Sequence, residues 1–119
     1  MKQFEVRAKD RNIAFTGEVI GEASSHSPGK SRWAEVKIYR TQGGQYIVAG
    51  VGRSTLPGES DRNWAHSSGT PEGVIEALSL YDDDEVRYMP GVARRALDAA
   101  TRKDAALSEA ASSFTEYVA

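Results

Sequence analysis

Arg32-Trp33-Ala34-Glu35-Val36-Lys37-Ile38-Tyr39-Arg40-Thr41-Gln42-Gly43-Gly44-Gln45-Tyr46-Ile47-Val48-Ala49-Gly50-Val51-Gly52-Arg53 decides the fold. Two runs rich in β-branched and aromatic residues flank a glycine pair, and glycine reaches the positive φ that a tight reversal needs. The stretch predicts a β-hairpin. With Gly43-Gly44 as a two-residue loop, Ile38 faces Ala49, Val36 faces Val51, Tyr39 faces Val48 and Thr41 faces Tyr46. One face is then aliphatic, and the other carries Trp33, Lys37, Tyr39 and Tyr46. A three-residue loop shifts one strand by a position and changes these partners.

Upstream, Phe4, Val6 and Ala8 alternate with polar residues, and Ile13, Phe15, Gly17 and Val19 follow the same period of two. These give two more strands, separated by the polar turn Asp10-Arg11-Asn12. Downstream, Thr70-Pro71-Glu72 is a helix start: a Thr N-cap, Pro at the first position and an acid in the first turn. Val74, Ala77, Leu78 and Tyr81 form its buried stripe, and Asp82-Asp83-Asp84-Glu85 ends it against the helix dipole. Pro90 starts a second helix with Val92, Ala93, Ala96, Leu97 and Ala100 on its apolar face. Asp104 caps a short continuation through Ala111, and Phe114–Val118 is a last edge strand or a frayed end.

The expected fold is α+β. A four-stranded antiparallel meander, five-stranded if the tail adds an edge, is followed by two or three helices packed on one face. One domain spans residues 1–119, with the sheet over 1–54 and the helical layer over 70–112.

Composition narrows the chemistry. The chain has 119 residues, enough for one core, and no cysteine, which excludes disulfides, thiolate zinc sites and a cysteine nucleophile. Neither a signal-peptide core nor an apolar run long enough to cross a membrane is present, so a cytoplasmic location and no membrane partner are expected. Net charge is −2, yet residues 1–54 carry nine Lys/Arg against five Asp/Glu and residues 55–119 six against twelve. The two halves can attract each other within the fold or present different surfaces to partners.

No motif indicates a cofactor, a metal or a catalytic group. Gly29-Lys30-Ser31 lacks the earlier glycine and the following helix of a phosphate-binding loop. Gly50-Val51-Gly52 lacks the third glycine of a dinucleotide fingerprint, since Thr55 stands there. Asp82-Asp83-Asp84-Glu85 lacks the alternate spacing of a calcium loop. His26 and His66 each sit among serines without a recognisable nucleophile turn.

Topology suggests a site where motifs do not. The start of the third strand and the end of the fourth lie at the same end of the hairpin. The loop before one (24–31) and the long loop after the other (54–69) are therefore neighbours. They gather His26, Lys30, Arg32, Arg53, Asp61, Arg62, Trp64 and His66 beside the start of the first helix. Trp64 is read as pinning its loop to the core.

Arg32-Trp33-Ala34-Glu35, Ile38-Tyr39-Arg40-Thr41, Gly44, Tyr46, Thr70-Pro71-Glu72 and Ala77-Leu78 resemble small uncharacterised proteins of actinobacterial phages and plasmids, over residues 4 to about 105. The resemblance implies an accessory protein of a mobile element, a class in which some members bind and inhibit host defence systems. It carries no catalytic residue.

The first reading is thus a non-enzymatic protein that binds a macromolecule, most simply another protein. The alternatives are a nucleic-acid-binding module using Trp33, Lys37, Tyr39 and Tyr46, and a small-molecule site or enzyme using the His26 and His66 loops. An uncovered aromatic face would also serve as an interface between two copies of the chain.

Overall fold

The computed structural model describes residues 1–81, 83–85 and 87–112. Five strands form one antiparallel sheet in the order β1 (Lys2–Arg7), β2 (Asn12–Ser24), β3 (Arg32–Thr41), β4 (Tyr46–Ser54) and β5 (Arg62–Ser68). Then come α1 (Pro71–Leu78), a two-residue pair β6 (Leu80–Tyr81) and β7 (Arg87–Tyr88), α2 (Gly91–Thr101) and α3 (Ala105–Ser112). The α+β meander with helices on one face is as expected. Among the described residues no helix is long and apolar enough to cross a membrane.

The reading of the tail as an edge strand falls on residues 113–119, outside the described ones, and the fifth described strand comes from elsewhere. It is Arg62–Ser68, inside the stretch expected to be a long loop, so the sheet runs to residue 68 rather than 54. Its residues hid it: only Ala65 is fully buried, and no Val, Ile or Phe announces a strand.

The hairpin closes through three residues, not two. Thr41 N–H donates to Gln45 O (2.8 Å), Gly44 N–H donates to Thr41 O (3.0 Å), and Gly44 adopts φ 82°. That is the three-residue loop with a left-handed glycine. Ile38 consequently pairs with Val48, Val36 with Gly50, Tyr39 with Ile47, and Arg40 with Tyr46. Tyr46 moves to the aliphatic, helix-covered face.

That face holds the larger core. Ile20, Val36, Ile38, Tyr46 and Val48 pack against Val74, Ile75 and Leu78 of α1, Ala93, Ala96, Leu97 and Ala100 of α2, and Leu107 of α3. Thr70 caps α1 as read, its hydroxyl accepting from Gly73 N–H (3.2 Å). The helix stops at Leu78, a turn earlier than the acidic run, because the Ser79 hydroxyl donates to Ile75 O (2.6 Å) and Ser79 takes extended backbone angles. Asp104 caps α3 by accepting from Leu107 N–H (2.9 Å), and it also takes the Tyr46 hydroxyl (3.0 Å) and Arg40 Nη1 (2.7 Å). The Arg40 guanidinium lies 4.3 Å from the Tyr46 ring centroid, a cation–π contact.

The opposite face is closed by the sheet itself. The first half of β2 pairs with β1 and the second half with β3, and a bulge between Val19 and Gly21 lets the strand bend between them. Val6 and Ala8, Tyr39, Ile47 and Ala65, drawn from the β1, β3, β4 and β5 regions, share one buried cluster. A flat sheet would hold β1 and β5 about 19 Å apart, four strand spacings; here the curl brings them together. Phe4 and Phe15 fill the space over Tyr39, with ring centroids 4.9 and 5.0 Å from it.

Candidate functional site

The two loops are neighbours. Thr55 N–H donates to Ser31 O (2.9 Å), which ties the β4–β5 connection to the entry of β3. Between them opens a cleft of about 520 Å³, lined by Arg32, Trp33, Arg53, Glu59 and Arg62 among others.

Carboxylates fix two of these arginines. Arg32 makes a two-pronged pair with Glu59, Nε to Oε1 at 2.9 Å and Nη2 to Oε2. Arg53 donates from Nε to Glu35 Oε2 (2.6 Å) and from Nη1 to Asp61 Oδ2 (3.0 Å). Glu35 also accepts from Trp33 Nε1 (2.8 Å), so the indole is oriented by the same network. The Arg32 hydrogen bond, then the one from the Ser54 hydroxyl (2.6 Å), hold the Glu59 carboxyl down to about 2. Glu35 is lowered too, first by the Trp33 indole N–H and then, against burial, by Arg53. Arg62, by contrast, has no ion-pair partner within 4 Å among the described residues.

His26 stacks edge-on against Trp33, ring centroids 4.3 Å apart, and Lys30 Nζ donates to Ser25 O (3.0 Å). Both belong to the connection that leads into β3, and neither is among the residues that line the cleft. Trp64 and His66 do not join it. β5 runs away from the cleft, and His66 stands opposite Val48, four residues or about 13 Å beyond Arg62. Trp64 packs against the larger core and covers Gly50, where an added Cβ would lie 2.2 Å from the indole. It pins its strand, as read.

The start of α1 is also at the other end, because β5 carries the chain there: Ser68 pairs with Tyr46 near the hairpin turn. The N-terminus of α1 therefore does not face the cleft. His26 and His66 stand two strands apart, His26 against Trp33 on the face away from the helices and His66 on the helix face, so they form no common site.

The aromatic sheet face is not assembled either. Tyr39 is 4% exposed under the curl, and Tyr46 is 1% exposed under the helices on the other face. Lys37 is exposed opposite Glu22, and Trp33 belongs to the cleft. Neither stacking of bases nor pairing of two copies finds a platform there.

Sequence reasoning missed three residues at this end: Arg7, Lys9 and Asn63. They meet Arg62 around a second cleft of about 550 Å³. The only sequence signal was the basic character of the first turn, Arg7 to Arg11, and nothing in it foretold that β1 closes onto β5. No family model matches the chain, and neither a curated protein nor a solved structure is similar enough to match it.

Proposed function

We propose that the chain is a non-enzymatic binding protein whose contact surface is the cleft between the β2–β3 and β4–β5 connections, and that its partner is another protein. One observation carries this reading: Trp33, Arg32 and Arg53 are held in place by Glu35, Glu59 and Asp61 before any partner arrives. Arginine and tryptophan dominate the energetics of protein interfaces, and prior ordering lowers the entropic cost of binding. The same carboxylates weigh against a polyanion. Glu59 lines the cleft beside the arginines, and Glu35 and Asp61 both pair with Arg53, so successive phosphates of a nucleic acid would meet carboxylates as well as cations. The resemblance to phage and plasmid proteins supports an accessory role in a mobile element.

Affinity purification from the encoding organism, with bound protein and bound nucleic acid both measured, tests the proposal. The expected result is one protein recovered in near-equal amount, insensitive to nuclease and lost with Trp33→Ala. Recovery that nuclease abolishes, or that Trp33→Ala leaves unchanged in a folded variant, overturns it.

A further inference from the structure

β1 and β5 are the end strands of the sheet, and the curl sets the end of one against the beginning of the other. Three cations, Arg7, Lys9 and Arg62, stand around the cleft between them. Asp61 is the one carboxylate in its lining, and it is already engaged by Arg53 and by Ser54 N–H (3.3 Å). Three cations against this one engaged carboxylate leave the opening net positive among its described lining residues, and Arg62 is shared with the neighbouring cleft.

Asn63 is shared in turn with a smaller cleft of about 150 Å³, whose lining includes the apolar Val6, Ala49 and Val51 and the charged Glu35, Lys37 and Arg53. Its amide makes no hydrogen bond to another described residue, so it has two donors and an acceptor to offer. The outer edges of β1 and β5 have no ladder partner among the described residues. Such edges pair readily with an extended chain.

We propose that this opening binds an extended acidic segment of the protein partner. Its carboxylates pair with Arg62 and Lys9, its peptide groups meet Asn63 and a strand edge, and an apolar side chain enters the small cleft. The proposal rests on the reading of the adjacent cleft as a protein-binding surface and names the chemistry of what binds there. A peptide suits the site better than a nucleic acid because its charges can be spaced to miss Asp61 and Glu59.

The test is fluorescence anisotropy with a labelled peptide of about six alternating Glu and Val residues, a usual strand length. A Lys-Val peptide of the same length and an oligothymidylate serve as the other probes. Saturable binding of the Glu-Val peptide is expected, weakened by salt and at least about tenfold weaker with Lys9→Glu combined with Arg62→Glu. Both side chains are exposed and form no ion pair within 4 Å with another described residue, and the thermal midpoint verifies that the variant folds. Trp33→Ala, in the other cleft, should leave peptide affinity within about twofold while abolishing partner recovery. No saturable binding, equal binding of the oligothymidylate, or indifference to Lys9→Glu with Arg62→Glu overturns the proposal. If partner recovery still depends on Trp33 in that event, the protein-binding reading stands without it.

Discussion

Replacing Gly21 with alanine is expected to cost about 3 kcal/mol of stability, the upper range for overpacking a core. An added Cβ would lie 2.3 Å from Ala96 O, 2.7 Å from Ala100 N and 2.8 Å from Ala100 Cβ. Two of these atoms are helix backbone and cannot rotate aside. The strain must be relieved by lifting α2 from β2, which opens the core around Ala93, Ala96, Leu97 and Ala100. With native stability of about 5–15 kcal/mol, the loss is a large fraction of the total. Urea denaturation of Gly21→Ala beside Gly91→Ala measures it, since nothing stands within 4 Å of a Cβ at Gly91. Equal midpoints for the two variants would contradict the helix-to-strand contact described above.

Asp104→Ala is expected to cost about 3 kcal/mol as well. The cap of α3 contributes about 1 kcal/mol, and the remainder comes from leaving the part-buried Arg40 and Tyr46 hydroxyl without their acceptor. The pH dependence carries a sign at each end. Burial acts to raise the Asp104 pKa, but the Leu107 N–H, the Tyr46 hydroxyl and Arg40 outweigh it and lower the value below the ordinary one. Its contribution is complete above about pH 3.9 and is lost as pH falls through the folded value. Tyr46 is pushed up to about 12, first by burial and then by the hydrogen bond to Asp104. Its contribution is complete below about pH 10 and is lost as pH rises through that folded value. Urea midpoints across pH should show Asp104→Asn flattening the acid limb and Tyr46→Phe the alkaline one. Limbs unchanged from the parent chain would show that this triad does not couple α3 to the sheet.

What could be read from sequence was local. The Gly43-Gly44 reversal, the Thr70-Pro71 start, the Pro90 start and the Asp104 cap each depend on a few adjacent residues, and each stands where expected. The hairpin register was not legible, because two- and three-residue loops both satisfy a glycine pair and only the bonds of Thr41 with Gln45 and Gly44 select one. One residue of shift carried Tyr46 from one face to the other. β5 escaped notice because a mostly polar edge strand has little periodicity to offer. The candidate site was half legible. Hairpin geometry placed Arg32, Arg53 and Arg62 together, whereas the approach of Arg7 and Lys9 depends on a bulge between Val19 and Gly21 that no composition or period announces.

The curl that joins the two ends of the sheet creates the basic opening at Arg7, Lys9 and Arg62, and the absence of cysteine makes it open to direct measurement. A nitroxide on Lys9→Cys should broaden the amide resonances of Arg62 and Asn63 as strongly as those of its own β1–β2 turn. Arg62 and Asn63 keeping clearly more intensity than that turn would mean that β1 stays four strand spacings away, about 19 Å, and that the basic opening does not exist.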